Sequence, residues 1–434
     1  MSTIKVLVVP SDRSGVSKFR SVDPHLKLQE LYGKDFFVEI VTAGTDGFNW
    51  DDENFIKGFD IVHFHRALPM VKDGQLQPAY NDDAKNIFDK FKKHGVKIVM
   101  DLDDYWMVSM DHPGYRQIKE ANMDKDIIQN IKMVDYVTCT TPIYAKEIGK
   151  YNKNVIVLPN AVDPSEKQFQ HNPEPTDKKM RIGWLGGSSH EADLRLASTS
   201  VASFLSKHKE DTQFVLCGFD LRGFINEQNP QTGQVTQRKI RPDESVWSRY
   251  EQFFTKNYGN VTPEYTKELL TYSQDINGKD QNYRRVWTQP ITTYATNYNL
   301  FDVSLAPVKE HTFNKMKSQL KVIEAGFHKK ALITSDFGPY QIDLVNAYQK
   351  GGTINDKGNA FLVDKYGNSK DWEKYLNILY KNPELITQLG ENLYESVQKY
   401  HIDVVTETRS EFYKTIVNEK EIEVKQLIEE TNEI

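Results

Sequence analysis

Cysteines and long apolar runs are scarce in this chain. Only two cysteines occur among 434 residues, and both Cys139 and Cys217 stand in short apolar runs, which predicts buried thiols rather than a disulfide or a metal site. No apolar run approaches the length of a membrane span. The segment Ile4–Val9 is short and is followed at once by Pro10 and Ser11, unlike a signal peptide. These absences predict a soluble cytoplasmic protein.

The chain also lacks a strong excess of positive or negative charge, and it lacks familiar catalytic signatures. The formal net charge is −6, so the sequence gives no reason to expect a nucleic-acid partner. There is no GxGxxG fingerprint, no GxxxxGK[ST] phosphate loop, no HExxH or Cys/His zinc spacing and no GxSxG turn. The function must therefore be sought in less common patterns.

A regular alternation of strand-like and helix-like segments is present instead. The length of 434 residues suits two domains better than one, and the 12% of aromatic residues can supply large buried areas. Apolar residues at helical spacing predict a helix over Asn81–Gly95. Short apolar segments predict strands at Lys5–Val9, Val38–Val41, Ile61–Phe64, Lys97–Met100, Val134–Thr138 and Val155–Leu158. The first 165 residues therefore predict a Rossmann-like α/β domain.

A second alternating half follows a polar stretch. Residues 166–179 are rich in polar residues and proline, and we predict the interdomain linker there. The second domain, residues 180–404, opens with a predicted strand at Arg181–Leu185. A glycine turn and an apolar-patterned helix follow, and then a strand at Phe214–Cys217. This order again predicts a Rossmann-like fold.

Two segments do not fit that minimal plan. Residues 218–285 are long, aromatic and charged, and we predict an insertion there with helices near Glu244–Phe254 and Pro263–Tyr272. Residues 405–434 are predicted to form a terminal helix and a solvated tail, because the end of the chain is rich in Glu and Lys.

The segment Phe301–Tyr340 carries the strongest functional pattern. It predicts a strand at Val303–Ala306, a polar loop with Lys315 and Lys317, and a helix that Ser318 can cap. Ligands of open α/β sheets bind outside the carboxyl ends of strands. A cationic loop entering a helix N-terminus suits phosphate. The segment therefore predicts a phosphate-bearing ligand.

Two segments resemble a known family. The sequence FNKMKSQLKVIEAG, residues 313–326, is similar to the donor-binding segment of GT-B-fold glycosyltransferases of the family 4 type, also called group 1. GWLGGSSHEADL, residues 183–194, resembles the strand, turn and helix that flank the nucleotide diphosphate in that family. The resemblance implies two Rossmann-like domains facing a cleft. It also implies retaining transfer of a hexose from a nucleotide sugar to a glycan or lipid-linked acceptor, in bacterial surface polysaccharide or glycoconjugate synthesis, with no obligatory cofactor.

The resemblance also implies roles for residues of the second domain. Lys317 would neutralise charge on the departing diphosphate, and Glu324 would hold the ribose hydroxyls. Many relatives carry a first glutamate eight positions before the second, where this chain has Met316. The other residues implied in donor binding are Gly186, Gly187, His190, Asn314 and Ser318. From the residues alone, a solvated lysine and a helix-surface glutamate remain alternatives.

In the first domain the resemblance assigns a loop after the first strand and one histidine. Gly15 would permit close approach to the donor phosphate, and Arg20 would bind an acceptor or donor anion; a plain loop is the alternative. A first-domain histidine often contacts the donor sugar in the family. His112 is preferred over His63 and His65 as this catalytic histidine.

The acidic run Asp101–Asp104 contains a DxD pattern. Paired carboxylates of this kind can hold a divalent cation, but the second alternating half does not suit the fold in which that motif usually acts. We expect Asp103 and Asp104 to contact the acceptor or other polar groups of the cleft, with helix capping as the alternative, and we expect no metal.

Two other functions and a membrane-binding surface remain alternatives from the sequence alone. A nucleotide-sugar epimerase shares the GT-B architecture, and a noncatalytic two-domain sugar-binding protein is a further alternative. A lysine-rich helix face could bring the protein to the inner face of a membrane, although a solvated face is the simpler interpretation. That face carries Lys85, Lys90, Lys92 and Lys93.

Overall fold

The computed structural model describes residues 3–11, 15–41, 50–110, 114–220, 223–228, 234–241, 244–255, 282–364 and 369–418. Two parallel six-stranded sheets dominate it. The chain forms two compact units. The first unit is Met1–Asp163, Glu310–Ile323 and Gln398–Ile434, and the second is Pro164–Lys309 and Glu324–Val397.

The first sheet lies in the first unit. Its strands follow the order β2-β1-β3-β6-β7-β8, and β4 and β5 form a separate antiparallel hairpin. The chain leaves β1 to form β2 on one side and returns to form β3 on the other, which makes a topological switch point between β1 and β3. In chain order the strands are β1 Ile4–Val9, β2 Phe36–Ile40, β3 Ile61–His65, β4 Pro69–Lys72, β5 Gln75–Pro78, β6 Lys97–Leu102, β7 Tyr136–Cys139 and β8 Val155–Val157.

Helices cover both faces of the first sheet, which explains why its strands are almost continuously apolar. One face packs Leu7, Val62 and Phe64 into a cluster with the helix Asn81–Lys93. The other face packs Val6 and Val8 against Phe412 and Tyr413. The helices of this unit are Gly15–Ser17, the π-helix Lys18–Val22, Asp23–Tyr32, Glu53–Ile56, Asn81–Lys93, Tyr115–Glu120, Met123–Met133, Pro142–Ile148, Thr312–Lys315, the 3-10 helix Gln398–Tyr400 and Ile402–Val417.

The second sheet repeats the plan in the order β13-β10-β9-β14-β15-β16, with β11 and β12 as an antiparallel hairpin. Its switch point lies between β9 and β14. The strands are β9 Met180–Leu185, β10 Thr212–Phe219, β11 Phe224–Gln228, β12 Val235–Lys239, β13 Tyr283–Trp287, β14 Val303–Ala306, β15 Ala331–Ser335 and β16 Phe361–Val363. The helices are Glu191–Lys207, Val246–Thr255, Asp371–Lys381 and Pro383–Val397, the 3-10 turns Lys167–Phe169, Tyr294–Leu300 and Gly338–Gln341, and Leu320–Phe327, which bridges the boundary between the units.

The compact units divide the chain differently from the predicted boundaries. Residues 166–179, predicted as a linker, belong to the second unit. Phe169 is buried there, and the Arg181 guanidinium donates to the Glu174 carbonyl over 2.9 Å. Residues 310–323 and the end of the chain belong to the first unit. Local composition marks polar stretches but does not show where their apolar residues pack.

The predicted insertion is partly built into the second sheet. Its first residues end β10, and its last residues form β13, an edge strand of that sheet. Between them lie the β11–β12 hairpin and the helix Val246–Thr255, close to one predicted helix. The other predicted helix, Pro263–Tyr272, lies outside the described residues, as does most of the predicted tail.

Two further expectations bear on the surface and the thiols. Both Cys139 and Cys217 are buried, and they do not form a disulfide. Within the described residues, no helix combines the length and the apolar character needed to cross a bilayer.

The lysines on the helix Asn81–Lys93 have polar partners. Lys85 pairs with Asp89 at 2.6 Å and Lys93 with Glu53 at 2.7 Å, and Lys90 pairs with Asp51. This pairing favours a solvated face.

Candidate functional site

The carboxyl edge of the first sheet gathers a hydrogen-bonded set of polar side chains at its switch point. Ser11 follows β1, and His65 is the last residue of β3. The Ser11 Oγ lies 2.9 Å from His65 Nδ1, and His65 Nε2 lies 2.8 Å from Asp103 Oδ1. Asp103 follows β6, so three neighbouring strand ends supply the three residues.

Asp103 is held as a carboxylate by several donors. Its Oδ1 also accepts from Arg66 Nη2 over 3.1 Å and from the Asp104 backbone amide over 2.8 Å. Burial alone would raise the pKa of Asp103, but the His65 hydrogen bond and charge and the Arg66 guanidinium outweigh it and lower the pKa far below the usual value. Asp103 is therefore ionised at neutral pH and acts as a charge partner.

Asp104 behaves differently although it is the next residue. Burial, together with the neighbouring Asp103 charge, raises the pKa of Asp104. Lys317 and Arg66 act in the opposite direction, and Arg66 Nη2 lies 3.8 Å from Asp104 Oδ2. The Asp104 carbonyl accepts the Tyr144 hydroxyl over 2.7 Å. The predicted residues Lys317, Asp103 and Asp104 thus share one electrostatic environment in the first unit.

The loop that carries Lys317 is anchored at both of its ends. His311 Nδ1 accepts the Asn314 backbone amide over 3.2 Å, which caps the short helix Thr312–Lys315, and the Asn314 side chain is buried. Ser318 Oγ accepts the Asn160 amide over 2.9 Å. The Lys317 ammonium lies 4.9 Å from the Phe313 ring centroid. These contacts define the path of the loop on either side of the lysine.

Met316 stands where the resemblance to the family implied a glutamate. Its side chain is buried in the apolar cluster that also contains Trp106 and Tyr144 of the first unit. A glutamate would not fit this place without a charged partner. In this chain the position is therefore a packing position.

Arg20 does not fit the predicted role of binding an external anion. Its side chain is only 1% exposed and forms a two-point salt bridge with Asp101, Nε–Oδ2 at 2.9 Å and Nη2–Oδ1 at 2.7 Å. Thr138 also donates to Asp101 over 2.6 Å. Burial would raise the pKa of Asp101, but the Arg20 charge and hydrogen bonds lower it. The guanidinium is thus a structural group under the sheet edge.

The same pair bears on the DxD pattern. Because the Asp101 carboxylate is occupied by Arg20 and Thr138, it does not face a cation together with Asp103. Among the residues that the structure describes, no group of three or more His, Cys, Asp or Glu side chains could hold a metal ion.

The switch point of the second sheet is built mainly from backbone. Gly186 and Gly187 follow β9, and a Cβ placed on Gly187 would meet no atom within 4 Å. The Tyr250 hydroxyl braces the turn, since it accepts the His190 amide and donates to the Ser188 carbonyl, each over 2.9 Å. The turn is thus held in shape while the face of Gly187 stays open.

His190 is tied to the loop after β14 through an acidic residue. Its Nδ1 lies 2.7 Å from Asp193 Oδ2, and Asp193 Oδ1 accepts the Lys309 backbone amide over 2.7 Å. Asp193 therefore connects the two loops that border the switch point. A ligand at this point would meet the backbone of both loops.

Glu324 is buried, with 3% of its surface exposed. Its carboxylate accepts the hydroxyls of Tyr294 and Tyr298, the latter over 3.1 Å. Burial and the Glu324 charge together raise the pKa of both tyrosines well above the usual value. The glutamate is therefore not the helix-surface residue considered above, and the implied ribose contact stays a prediction.

Of the remaining predicted residues, His112 lies outside the described part of the chain. Gly15 begins the short helix that precedes the π-helix Lys18–Val22, and residues 12–14 before it are also outside. Sequence reasoning did not single out Ser11 or Arg66. Two histidines in the β3 segment IVHFH were a usable signal. Because residues two apart in a strand share a face and both rings are buried, the sequence gave no means to tell His65, at the end of the strand, from His63.

No protein-family model matches the sequence, and no curated protein sequence matches it. Solved structures do. A glycosyltransferase from Rickettsia africae is similar with a TM-score of 0.59 and 12% identity, over 97% of this chain and 100% of that one. Anabaena HepE in complex with UDP and glucose has a TM-score of 0.58 and 8% identity, over 95% of this chain and 99% of that one.

The sucrose-phosphate synthase of Thermosynechococcus elongatus adds a further similar structure. Its TM-score is 0.56 at 13% identity, over 96% of this chain and 100% of that one. At such low identities the likeness concerns the fold. With two parallel six-stranded sheets flanked by helices, this chain has the α/β fold of the GT-B glycosyltransferases.

Proposed function

We propose that the chain is a glycosyltransferase, of hexosyltransferase type, that moves a sugar from a nucleotide sugar to a glycan or lipid-linked acceptor. The observation that carries the proposal is the full-length likeness of its fold to Anabaena HepE, a protein whose structure holds UDP and glucose. The open Gly186–Gly187 turn at the second switch point supports a nucleotide diphosphate as the ligand.

Each predicted residue then has a chemical task. Backbone amides near Gly187 would bind the diphosphate without a side chain in the way. Lys317 would stabilise the negative charge that develops on the leaving group. The proposal needs no metal, because a lysine and backbone amides can supply that stabilisation. Retention of configuration and a role in bacterial surface polysaccharide or glycoconjugate synthesis come from the family resemblance, and a cytoplasmic location stays a prediction from the sequence.

A thermal-shift panel of nucleoside diphosphates and nucleotide sugars tests the proposal. We expect one nucleotide to raise the Tm, because a ligand that binds only the folded state stabilises it. The rise should persist in EDTA. A rise that EDTA abolishes would contradict metal-free binding. No rise with any nucleotide would instead favour a noncatalytic sugar-binding protein.

Product analysis then separates transfer from epimerisation. The nucleotide sugar identified by the panel is incubated with the chain, with and without added acceptor glycans, and the products are followed by NMR. Release of nucleoside diphosphate and a new glycosidic bond of the donor's configuration are expected. Conversion to a second nucleotide sugar without acceptor would show an epimerase.

A further inference from the structure

The hydrogen-bonded set Ser11–His65–Asp103 has a defined direction. Asp103 is a carboxylate that can only accept, so the facing nitrogen, His65 Nε2, carries the ring proton. In the neutral imidazole the other nitrogen, His65 Nδ1, has a lone pair directed at the Ser11 hydroxyl 2.9 Å away. The serine proton is thus donated towards the imidazole.

Of the serine and the histidine, only Ser11 is open to a substrate. Ser11 is exposed, whereas His65 is 2% exposed. A substrate at the switch point between β1 and β3 can therefore touch the serine hydroxyl but not the imidazole. Any effect of His65 on a reaction must pass through Ser11.

A transferase of the kind proposed must remove a proton from the acceptor hydroxyl. We propose that Ser11, His65 and Asp103 form a proton relay for that hydroxyl, an inference that rests on the proposed function. The acceptor O–H bond breaks as its oxygen bonds to the sugar C1 and the C1–O bond to the diphosphate breaks. The acceptor proton passes to Ser11 Oγ while the proton of Ser11 passes to His65 Nδ1.

The relay ends on histidine. The imidazolium formed is paired with the Asp103 carboxylate, and the diphosphate leaves with the bonding electrons, so atoms and charges balance. Ser11 is the catalytic residue, and His65 and Asp103 are positioning residues that act through it. Other titratable and charged groups surround His65. Asp101, Asp104 and His63 interact with it electrostatically, and Arg66 follows it in the chain.

The test uses the full chain, UDP-glucose as donor, and release of UDP as the readout. Water serves as an acceptor that must lose a proton, and azide as one that has none to lose. The variants are Ser11→Ala and His65→Gln. The matched control is Ser206→Ala, because Ser206 is exposed and donates only within its own helix, to the Ala202 carbonyl at 2.8 Å.

We expect both relay variants to slow water-dependent UDP release about a hundredfold, and azide to restore most of the rate. The Tm rise with UDP should be unchanged in both, which shows that the variants still fold and bind.

Two outcomes overturn the relay while leaving the proposed function intact. One is a Ser11→Ala rate equal to that of the Ser206→Ala control. The other is a loss of rate that azide does not restore, which indicates a structural role for the hydrogen bonds. If UDP-glucose gives no Tm rise, the same design is run with the nucleotide sugar that does. Absence of turnover by the wild-type chain with every nucleotide sugar would instead refute the proposed function and the relay with it.

Discussion

The two sheets have the same strand plan but very different switch points. The edge between β1 and β3 is lined by side chains that carry charge or exchange protons, Ser11, His65 and Asp103. The edge between β9 and β14 is lined by glycines and backbone amides around Gly187. The comparison teaches that this topology supplies a crevice twice, while the residues that follow the strands decide whether it is lined by titratable side chains or by backbone.

The support beneath the two edges differs as well. The first edge rests on the Arg20–Asp101 pair, whose side chains are 1% and 0% exposed. The second sheet has a comparable pair, Arg181–Asp302, at the beginning of β9, and its carboxylate is 26% exposed. The ion pair next to the first edge is thus fully buried, whereas the carboxylate of the pair in the second sheet is partly exposed. Substitutions can test this difference in burial.

The largest effect is expected for Asp101→Asn. It leaves the Arg20 guanidinium buried without a countercharge, which should cost about 3–5 kcal/mol of the free energy of unfolding of the first unit. The measurement is urea unfolding followed by a probe in the unit that carries the substitution. Asp302→Asn, in the second unit, is the matched control and should cost clearly less, because its carboxylate is 26% exposed and water partly screens that pair. Equal losses would show that burial does not distinguish the two pairs.

Next in size is Lys317→Ala. Loss of the ammonium should reduce turnover of the nucleotide sugar about a hundredfold, because charge on the leaving diphosphate is no longer stabilised. Lys315→Ala, at an exposed lysine that ends the preceding short helix, is the control and should retain near-normal kcat. Near-normal kcat for Lys317→Ala as well would remove this lysine from the reaction.

Gly187→Ala tests whether a nucleotide binds against the glycine turn at the second edge. Since a Cβ on Gly187 meets nothing, the variant should keep its Tm. Its Kd for the nucleotide should rise about tenfold, a loss of about 1.4 kcal/mol, because the methyl group blocks close approach.

Gly183→Ala gives the opposite result for comparison. Its Cβ would lie 2.0 Å from the Phe301 ring, so this variant should lower the Tm. An unchanged Kd in Gly187→Ala would mean that no ligand lies against the turn.

The smallest effect concerns acid. Burial lowers the pKa of His63 from 6.5 to about 3, despite the nearby Asp101 charge, and neither ring nitrogen has a hydrogen-bond partner among the described residues. The unfolded chain therefore binds a proton that the folded chain does not, so stability falls as the pH drops below 6.5 towards 3. His63 should account for a loss of about 1 kcal/mol between pH 6 and pH 5.

Urea unfolding of His63→Leu at both pH values checks this contribution. The variant should lose less stability on acidification than the wild type. An unchanged pH dependence in His63→Leu would show that the ring takes up a proton without unfolding.

The strands could be predicted from sequence because parallel strands buried on both faces are short apolar runs. Predicted and observed bounds of β3, β9 and β14 agree within a residue. The boundaries of the compact units could not be predicted in this way. Whether residues 310–323 pack with the first or second unit depends on distant partners of Met316 and Ser318.

The candidate site was predictable only in its local parts. The glycine turn and Lys317 stand in recognisable local patterns. Arg20 was assigned to an anion because its partner Asp101 lies 81 residues further along the chain. The Ser11–His65–Asp103 set joins residues 54 and 38 positions apart, and no local pattern connects them. Hydrogen-bond partners of this range become visible only when the strand order is known.

The helix Ile402–Val417 has a consequence for how the chain is made. Its Phe412 and Tyr413 complete the core on one face of the first sheet, and the Tyr413 hydroxyl lies 2.8 Å from the buried His25 ring nitrogen. During synthesis, β1 to β8 leave the ribosome long before this helix exists, whereas every segment of the second unit is made by residue 397. The unit that is translated first therefore cannot complete its core until the second unit has been made, because Phe412 and Tyr413 cover one apolar face of its sheet.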